Sequence, residues 1–355
     1  MVSVRGNAGA GAGQVDSMAS VRDVTPMDQA RRLKVAVLDD YQDVVRTLDA
    51  FGALSAHDVT VWTDPPASMD VLVERLVPAE AVVLLRERTR ITEALLARLP
   101  NLRLLSQTGH VPHIDLDACT RHGVTVSSAL GGRPSYATAE LTWGLILAAQ
   151  RHIPAEVGRL KAGLWQGSLG TGLHGRTLGI FGLGRLGTMV ARVGVAFGMA
   201  PLVWGRESSV AAALEAGYAV AETQAELFER SDVVSLHLRL VDGTRGIVGP
   251  EDLARMKPDA LLVNTSRAEL IQPGALVAAL AAGRPGRAAV DVYEREPLMD
   301  ADDPLLRAPN AVCTPHLGYV ERDNYEAVFK QAFAQVNAYA RGTPEHVRNE
   351  GVAPG

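Results

Sequence analysis

The stretch TLGIFGLGRLG, residues 177–187, decides the fold of this chain. It starts as an apolar run typical of a buried parallel strand and continues directly into G-x-G-x-x-G. A helical pattern of apolar residues follows, so the order is strand, glycine turn and helix. This order predicts a dinucleotide-binding site. Gly182 would make the tight turn, Gly184 would let a pyrophosphate approach the backbone, and Gly187 would let the helix pack closely on the strand.

Short apolar strands alternate with helical patterns on both sides of this turn, which is typical of open parallel sheets. We predict an α/β fold with two Rossmann-like domains, each with a doubly wound parallel sheet. The substrate domain would be discontinuous, with residues 31–130 and 316–345, because the last helical pattern follows the second series of strands. Residues 131–315 would form the dinucleotide-binding domain. Residues 1–30, rich in Gly, Ala and Ser, are expected to be a disordered tail.

The apolar patterns also predict the individual strands and helices. The strands fall at 33–38, 59–62, 81–85, 102–105 and 124–126, and then at 178–181, 201–204, 232–238, 260–264, 287–291 and 310–314. The helices fall at 69–76, 91–99, 135–152 and 324–339. Ser135 would cap the third helix, and Pro154 would follow its end.

The composition excludes several classes of protein. With 355 residues, of which 47% are hydrophobic and 21% charged, the chain can form two globular domains. Its net charge of −5 is spread along the sequence, without the basic stripe of a nucleic-acid-binding protein. No apolar run reaches the roughly 20 residues of a membrane span. From the charge pattern and the apolar runs together, neither nucleic acid nor a membrane is an expected partner. Cys119 and Cys313 fit neither a metal site nor a disulfide framework, so we expect a cytoplasmic protein without a metal.

Three candidate catalytic residues follow the ends of predicted strands: Arg267, Glu296 and His316. Ligands bind outside the carboxyl ends of strands in an open α/β sheet, so these side chains should converge. Arginine can hold a carboxylate and polarise a carbonyl. Histidine can exchange a proton near neutral pH, and a neighbouring carboxylate favours its charged form. Beside a dinucleotide, this set suits reduction of a 2-keto acid by hydride transfer.

Each of these residues also has a plain structural explanation. Glu296 could be a solvated loop charge, Arg267 a surface arginine and His316 a hydrogen-bonded core histidine. These explanations are less favoured when the three residues are considered jointly, because all three fall at strand ends on one side of the predicted sheet. Asp291 also ends an apolar strand, where an unpaired carboxylate would be costly. A ribose or carboxamide partner is therefore expected for it.

The motifs around these residues resemble the D-isomer-specific 2-hydroxyacid dehydrogenase family, which includes phosphoglycerate dehydrogenase and glyoxylate/hydroxypyruvate reductase. The resemblance extends from about Val82 to about Gly318, with a weaker extension to Lys34. Besides the glycine turn, it rests on LRERTRIT at 85–92, AELT at 139–142, NTSR at 264–267, DVYEREP at 291–297 and PHLG at 315–318. It implies two Rossmann-like domains around a cleft that closes on the substrate. It also implies a homodimer, whose arm would be the loop at 165–175.

The resemblance implies that Arg267 and Glu296 are catalytic and that His316 is the acid/base. The expected cofactor contacts, which include Arg206 and Ser208 from the next paragraph, are Gly182, Gly184, Arg185, Leu186, Gly187, Arg206, Ser208, Leu238, Thr265, Asp291 and Gly318. The expected substrate contacts are Arg86, Thr108, Gly109 and His110. The substrate carboxylate would lie on backbone N–H groups of the loop 106–111, which is about one residue shorter than in phosphoglycerate dehydrogenase. His110 would face the pocket or else serve at the surface or as a hinge.

The chain departs from NAD-dependent relatives after the second strand of the predicted dinucleotide-binding domain. NAD enzymes carry an acidic residue there for the ribose 2′-hydroxyl, but the matching position is Gly205, followed by Arg206. Arg206 could bind a 2′-phosphate with help from Ser208 and Ser209, and a charge-assisted bond contributes about 1.5–3 kcal/mol. We therefore predict a preference for NADP(H). NAD(H) is the alternative if Glu207 binds the ribose, and an exposed Arg–Glu pair without a role is the plain structural explanation.

The leading prediction is an oxidoreductase that transfers a hydride between NAD(P)H and a small 2-keto or D-2-hydroxy acid. The alternative is a dinucleotide-sensing interaction protein, like the transcriptional co-repressors that share this fold. Intact Arg267, Glu296 and His316 do not separate the two, because such co-repressors can retain these residues. A third alternative keeps the fold and changes the hydride donor, as in formate or phosphite oxidation.

Overall fold

The computed structural model describes residues 31–129, 136–349 and 351–352. The predicted tail at 1–30 and the predicted cap Ser135 lie outside the described residues. The described chain forms two parallel sheets, each packed on both faces.

The first sheet contains five strands, which are β1 (Lys34–Val37), β2 (Asp58–Val61), β3 (Ala81–Val83), β4 (Leu104–Thr108) and β5 (Thr125–Ala129). All are parallel, in the order β2-β1-β3-β4-β5. Alternate residues of a strand face opposite sides. Ala36 and Val82 therefore pack under α1 (Met69–Leu76), α2 (Glu93–Leu96) and α3 (Leu116–Arg121). Val37 and Val83 face a second core on the other side.

The second sheet contains seven parallel strands, which are β6 (Thr177–Phe181), β7 (Ala200–Trp204), β8 (Ala219–Val220), β9 (Val233–Leu236), β10 (Leu261–Asn264), β11 (Arg287–Val290) and β12 (Ala311–Cys313). Their order is β12-β11-β10-β9-β6-β7-β8. The direction of winding therefore reverses between β6 and β9, which is where an open sheet of this kind binds its ligand.

Eight helices accompany the second sheet in the described chain. They are α4 (Ala137–Gln150), α5 (Ile153–Lys161), α6 (Arg185–Ala196), α7 (Glu207–Glu215), α8 (Gln224–Arg230), α9 (Pro250–Arg255), α10 (Ala275–Ala281) and α11 (Pro304–Arg307). Trp143 and Ile146 of α4 pack with Val190 of α6 in one core of this sheet. The predicted α/β class with doubly wound parallel sheets is confirmed.

The last helix, α12 (Arg322–Ala340), lies on the first sheet although it follows the second sheet in sequence. Its buried face brings Phe329, Phe333 and Val336 into the core that contains Val37 and Val83. Full burial of an aromatic side chain stabilises the fold by about 1.5–3 kcal/mol. The chain thus leaves the first sheet after β5, forms the second and returns, so the first domain is discontinuous.

Pro154 follows the end of α4, as predicted, and it also lies in the first turn of α5, a helix that the sequence pattern did not predict. A proline is well tolerated there because the first turn leaves its N–H groups without helical partners. The break between α4 and α5 is made by His152, whose φ of +54° is incompatible with a continuous helix.

Two further elements differ from the sequence pattern. β8 is not predicted, since it has only two residues and one of them is exposed. The helix predicted at 91–99 is reduced to α2, because Ile91 forms a parallel bridge with Ile114 instead. In the part of the chain that the structure describes, no helix is long and apolar enough to cross a membrane.

Candidate active site

The glycine turn lies at the carboxyl end of β6, and its glycines differ in what a side chain would meet. Gly182 has a φ of +95°, which disfavours any other residue, and a Cβ there would lie 2.8 Å from Leu238 Cδ2. A Cβ on Gly187 would lie 2.3 Å from the carbonyl oxygen of Gly182, so α6 could not pack so closely on β6. A Cβ on Gly184 would meet no atom within 4 Å. The open space at Gly184 fits a pyrophosphate.

The start of α6 borders this space. Gly184 is the N-cap of α6 and has no side chain with which to cap the helix. The first turn of a helix carries outward N–H groups and a partial positive charge, which together bind anions. Arg185 is exposed and Leu186 half-buried in this turn. Their predicted contact with a dinucleotide phosphate is consistent with this position in the first turn of α6.

The end of β7 lies beside the same turn. Ser209 is buried, and its Oγ accepts a hydrogen bond from the N–H of Leu183 at 3.2 Å. Ser209 Oγ therefore has a partner inside the turn, and the predicted contact of its hydroxyl with a 2′-phosphate stays a prediction. A Cβ on Gly205 would lie 3.0 Å from Ser209 Cβ, so an acidic side chain there would displace Ser209. Arg206 and Ser208 are exposed at the start of α7.

Glu296 and His316 form a pair at the carboxyl end of the second sheet. His316 Nδ1 lies 2.6 Å from Glu296 Oε2, and Glu296 Oε1 accepts a hydrogen bond from the N–H of Tyr293 at 3.0 Å. Burial would raise the pKa of Glu296, but His316, this N–H and the charge of Arg88 together lower it below its usual value. Glu296 therefore stays ionised and favours a proton on the His316 ring. Because Nδ1 is bound to Glu296, Nε2 is the nitrogen left to exchange a proton.

Arg88 completes this pair, although no role was predicted for it. Its side chain is 8% exposed, and its Nη1 donates to Glu296 Oε2, the oxygen that also binds His316. Its Nε and Nη2 donate to the Tyr319 hydroxyl at 3.1 and 3.0 Å, and the Tyr319 ring lies edge-on to His316. Since Arg88 follows β3 and Glu296 follows β11, this ion pair joins the two domains. The sequence feature that could have identified Arg88 as a site residue is its position in the LRERTRIT motif, just after the end of a strand.

Arg267 and Arg86 provide positive charge near this pair. Arg267 donates to the carbonyl of Ser266 at 2.7 Å, and its Nη2 lies 3.5 Å from Glu87. The guanidinium of Arg86 lies 5.2 Å from the centre of the Tyr319 ring. Burial and the charge of Arg267 lower the pKa of Arg86. Two interacting guanidinium groups attract a carboxylate, which relieves their repulsion.

Asp291 is fully buried and finds its partners within the protein. Its Oδ1 accepts hydrogen bonds from Thr314 Oγ1 at 2.6 Å and the N–H of Leu317 at 2.7 Å. Its Oδ2 accepts one from the N–H of Gly318 at 2.8 Å. Burial raises the pKa of Asp291, and these donors oppose the rise. Asp291 therefore fixes the loop that carries His316, and its predicted ribose or carboxamide partner stays a prediction.

Two other expected cofactor residues lie on the inner side of the site. Thr265 is buried, and its hydroxyl lies 2.8 Å from that of Thr142 in α4. One turn earlier, Thr138 Oγ1 donates to the carbonyl of Gly318 at 2.6 Å. Leu238 is half-buried beside the glycine turn. Helix α4 thus links the end of β10 to the loop after β12.

The loop expected to hold the substrate carboxylate follows β4. Thr108, at the end of β4, is half-buried and His110 is exposed. The N–H of Gly109 is not available to a ligand, because it donates to the carbonyl of Ala129 at 2.9 Å. The N–H groups of His110 and Val111 have no hydrogen-bond partner among the described residues, so they are the remaining candidates for a carboxylate.

Three residues at the ends of strands have a left-handed backbone: Asp39, Arg86 and His316, with φ of +64°, +58° and +52°. This conformation costs a residue with a side chain roughly 1–2 kcal/mol. Asp39 is held by hydrogen bonds from Thr89 Oγ1 at 2.8 Å and the Tyr41 hydroxyl at 3.0 Å. Strained residues of this kind cluster at functional sites. Of the three, His316 carries the ring that Glu296 binds.

The arrangement can hold an anion at the glycine turn and a carboxylate near two arginines, beside a histidine whose Nε2 can exchange a proton. No cluster of three or more His, Cys, Asp or Glu side chains suited to a metal ion occurs in the described ranges.

Known proteins match most of the chain. A family model described as D-isomer specific 2-hydroxyacid dehydrogenase, NAD binding domain, matches residues 143–318. The glyoxylate reductase of Aeropyrum pernix is 37% identical over 298 residues, covering 81% of this chain and 88% of that protein. The D-3-phosphoglycerate dehydrogenase of Methanocaldococcus jannaschii is 34% identical over 314 residues, covering 87% of this chain and 58% of that protein. The crystal structure of a phosphoglycerate oxidoreductase from Vibrio cholerae has a TM-score of 0.83 and 56% identity, covering 87% of this chain and 99% of that one.

Proposed function

Since the chain belongs to the D-isomer-specific 2-hydroxyacid dehydrogenase family, we propose that it transfers a hydride between a nicotinamide dinucleotide and a small 2-keto or D-2-hydroxy acid. The observation that carries the proposal is the pair of Glu296 and His316, joined at 2.6 Å, in a cleft that also contains Arg267 and Arg86. No feature of the described residues favours the alternative of a dinucleotide-sensing interaction protein.

The side chains would divide the work as follows. When bound, the dinucleotide supplies the hydride that reduces C2 of the keto acid. His316 holds at Nε2 the proton that goes to the carbonyl oxygen. Glu296 orients the ring through Nδ1 and stabilises its charge. Arg267 and Arg86 hold the substrate carboxylate and polarise the neighbouring carbonyl.

Substitution of His316 tests this function. His316→Gln should lower kcat for 2-keto acid reduction by about 10²–10⁴, because the proton donor is lost. Nucleotide affinity should be unchanged. His122 is a matched control, since it lies 2.6 Å from Glu93 in an ion pair outside the cleft, and His122→Gln should retain activity. Nucleotide binding without turnover of any 2-keto acid by the native chain would contradict the proposal and favour the sensing protein.

We also propose a preference for NADP(H) over NAD(H). Arg206 is exposed directly after β7, and a Cβ on Gly205 would lie 3.0 Å from Ser209 Cβ, so the acidic residue of NAD enzymes would require Ser209 to shift. Arg206 and Ser208 are thus available to a 2′-phosphate. Glu207, exposed beside them, is the residue through which NAD(H) would be accepted.

Kinetics with both dinucleotides test this preference. Arg206→Ala should raise KM for NADPH by roughly tenfold or more, in line with the loss of a charge-assisted bond, and should leave KM for NADH unchanged. Arg341→Ala, at an exposed arginine after α12, is the control. Native kcat/KM with NADH equal to or above that with NADPH would contradict the preference.

We further propose a homodimer, formed through α5 and the loop that follows it. This surface carries six exposed apolar residues, which are Ile153, Val157, Leu160, Leu164, Trp165 and Leu169. Leu169 is 95% and Trp165 74% exposed. Contiguous apolar surface of this kind marks an interaction site.

We propose a cytoplasmic location for the protein. Cys119 and Cys313 are both free, and Cys119 is buried. Burial raises the pKa of the Cys119 thiol to about 12. Free, unreactive thiols are typical of a reducing compartment.

A further inference from the structure

A cavity of about 510 Å³ opens between the two domains beside Glu296 and His316. Its first-domain wall comes from the loops after β1 and β2, with Tyr41, Thr63 and Pro65. The remaining wall is largely apolar or aromatic. Tyr293, Leu298, Met299 and Leu306 come from the second domain, whereas Tyr319 and Val320 pack with the core of the first sheet. The volume lies within the roughly 300–1,000 Å³ of small-molecule sites. Because His316 forms part of the wall, the cavity is continuous with the proposed proton donor.

The charges around this cavity are already paired. Arg88, the one arginine among the described lining residues, donates to Glu296 and to the Tyr319 hydroxyl. Asp64, on the first-domain wall, forms an ion pair with Arg75 at 2.6 Å. An incoming phosphate or second carboxylate would find no unpaired arginine or lysine here, and the carboxylates of Glu296 and Asp64 would repel it.

An uncharged apolar group, unlike a phosphate or a second carboxylate, would bind favourably in this cavity. It would displace water from apolar walls, which is favourable by about 25 cal/mol for each Å² buried. It would also leave the hydrogen bonds of Arg88 intact. A substrate without a side chain, such as glyoxylate, would gain nothing from the cavity.

We propose that this cavity receives the substrate's side chain and selects 2-keto acids with a bulky uncharged group, aryl or branched alkyl, over glyoxylate and phosphorylated keto acids. The inference rests on the proposed function, since His316 must act on the C2 carbonyl. With the carboxylate at Arg267 and Arg86 and the carbonyl oxygen at His316, the remaining group on C2 extends past Tyr319 into the cavity. The reduced dinucleotide gives a hydride to C2 and becomes oxidised, while the proton of His316 goes to the oxygen.

A four-substrate comparison tests the cavity. Phenylpyruvate and 4-methyl-2-oxopentanoate should each give a kcat/KM at least about tenfold above those of glyoxylate and 3-phosphohydroxypyruvate, as expected for a filled apolar pocket. Equal or lower values for the two apolar substrates would overturn the cavity proposal and leave the proposed function standing. No turnover of any of the four would overturn both.

A charge placed in the wall gives a second test. Leu298→Arg should lower kcat/KM for phenylpyruvate about tenfold, mainly through KM, because one good hydrophobic contact is lost. It should also raise kcat/KM for 3-phosphohydroxypyruvate. Leu306→Arg introduces the same charge from α11, so it can be used if Leu298→Arg does not fold. Leu214→Arg, at an exposed leucine of α7, is the control. Native-like selectivity in both cavity variants, with native-like unfolding temperatures, would overturn the proposal.

Discussion

At the scale of single residues, the proposed acid/base pair depends on a third side chain. Arg88 donates to the same oxygen of Glu296 that binds His316. Arg88 therefore offsets part of the negative charge of Glu296 that would otherwise stabilise a positively charged His316 ring. The positive charge of Arg88 itself also disfavours a second positive charge nearby. We infer that Arg88 is a positioning residue, which acts on His316 through Glu296.

Removing Arg88 should move the pH dependence of the reaction. The charge of Arg88 helps to hold the pKa of Glu296 below its usual value. In Arg88→Gln this pKa should rise, so we expect the loss of kcat/KM at low pH, where Glu296 becomes protonated, to occur at a higher pH. The pH profile of kcat/KM is the measurement. Arg98→Gln, which removes an exposed ion pair with Asp70, should leave the profile unchanged. A shift to lower pH in Arg88→Gln, or none, would contradict the role of Arg88.

At the scale of elements, β6, its glycine turn and α6 could be predicted completely from the sequence. The constraints on these glycines are local, since they concern φ at Gly182 and the approach of α6 to β6 at Gly187. The strand ends at Arg267, Glu296 and His316 were predictable for the same reason: an apolar run marks where each strand stops.

The contacts between distant elements could not be predicted in this way. Arg88 and Glu296 are 208 residues apart and meet only because two domains face each other. The role of Ser209 depends on the return of β7 beside the glycine turn, and the partners of Asp291 come from the loop after β12. A pattern of strand ends does not tell which long side chains meet across a cleft.

The glycine turn yields a prediction with opposite outcomes at two positions. Gly184→Ala has an allowed φ of −86° and open space around its Cβ. It should keep the native unfolding temperature and weaken nucleotide binding about tenfold, or ~1.4 kcal/mol. Gly187→Ala should lower the free energy of unfolding by about 1–3 kcal/mol, because its Cβ overlaps the carbonyl of Gly182.

Thermal unfolding and nucleotide titration separate these two effects. Gly144→Ala is the matched control, since its Cβ in α4 also meets no atom within 4 Å. It should stabilise the fold by about 0.5–1 kcal/mol. A Gly184→Ala variant that binds nucleotide like the native chain would argue against a pyrophosphate at this turn.

At the scale of the whole molecule, the exposed apolar surface of α5 and its following loop predicts assembly. Replacing Leu160 and Trp165 together by Asp should place two charges in the proposed interface and convert the dimer to a monomer. Sedimentation equilibrium measures the mass directly. Leu214→Asp, on α7, should remain dimeric. A native chain that is already monomeric would contradict the proposed homodimer.

The return of α12 to the first sheet affects the order in which the domains can fold on the ribosome. The chain emerges from its N-terminus, so the five strands of the first sheet are complete long before α12 is made. Until then their core lacks Phe329 and Phe333. The segment from α4 to β12 is continuous and supplies its own cores, so we expect it to fold first. A nascent chain stopped before α12 should therefore combine a protease-resistant nucleotide-binding half with a protease-sensitive first sheet.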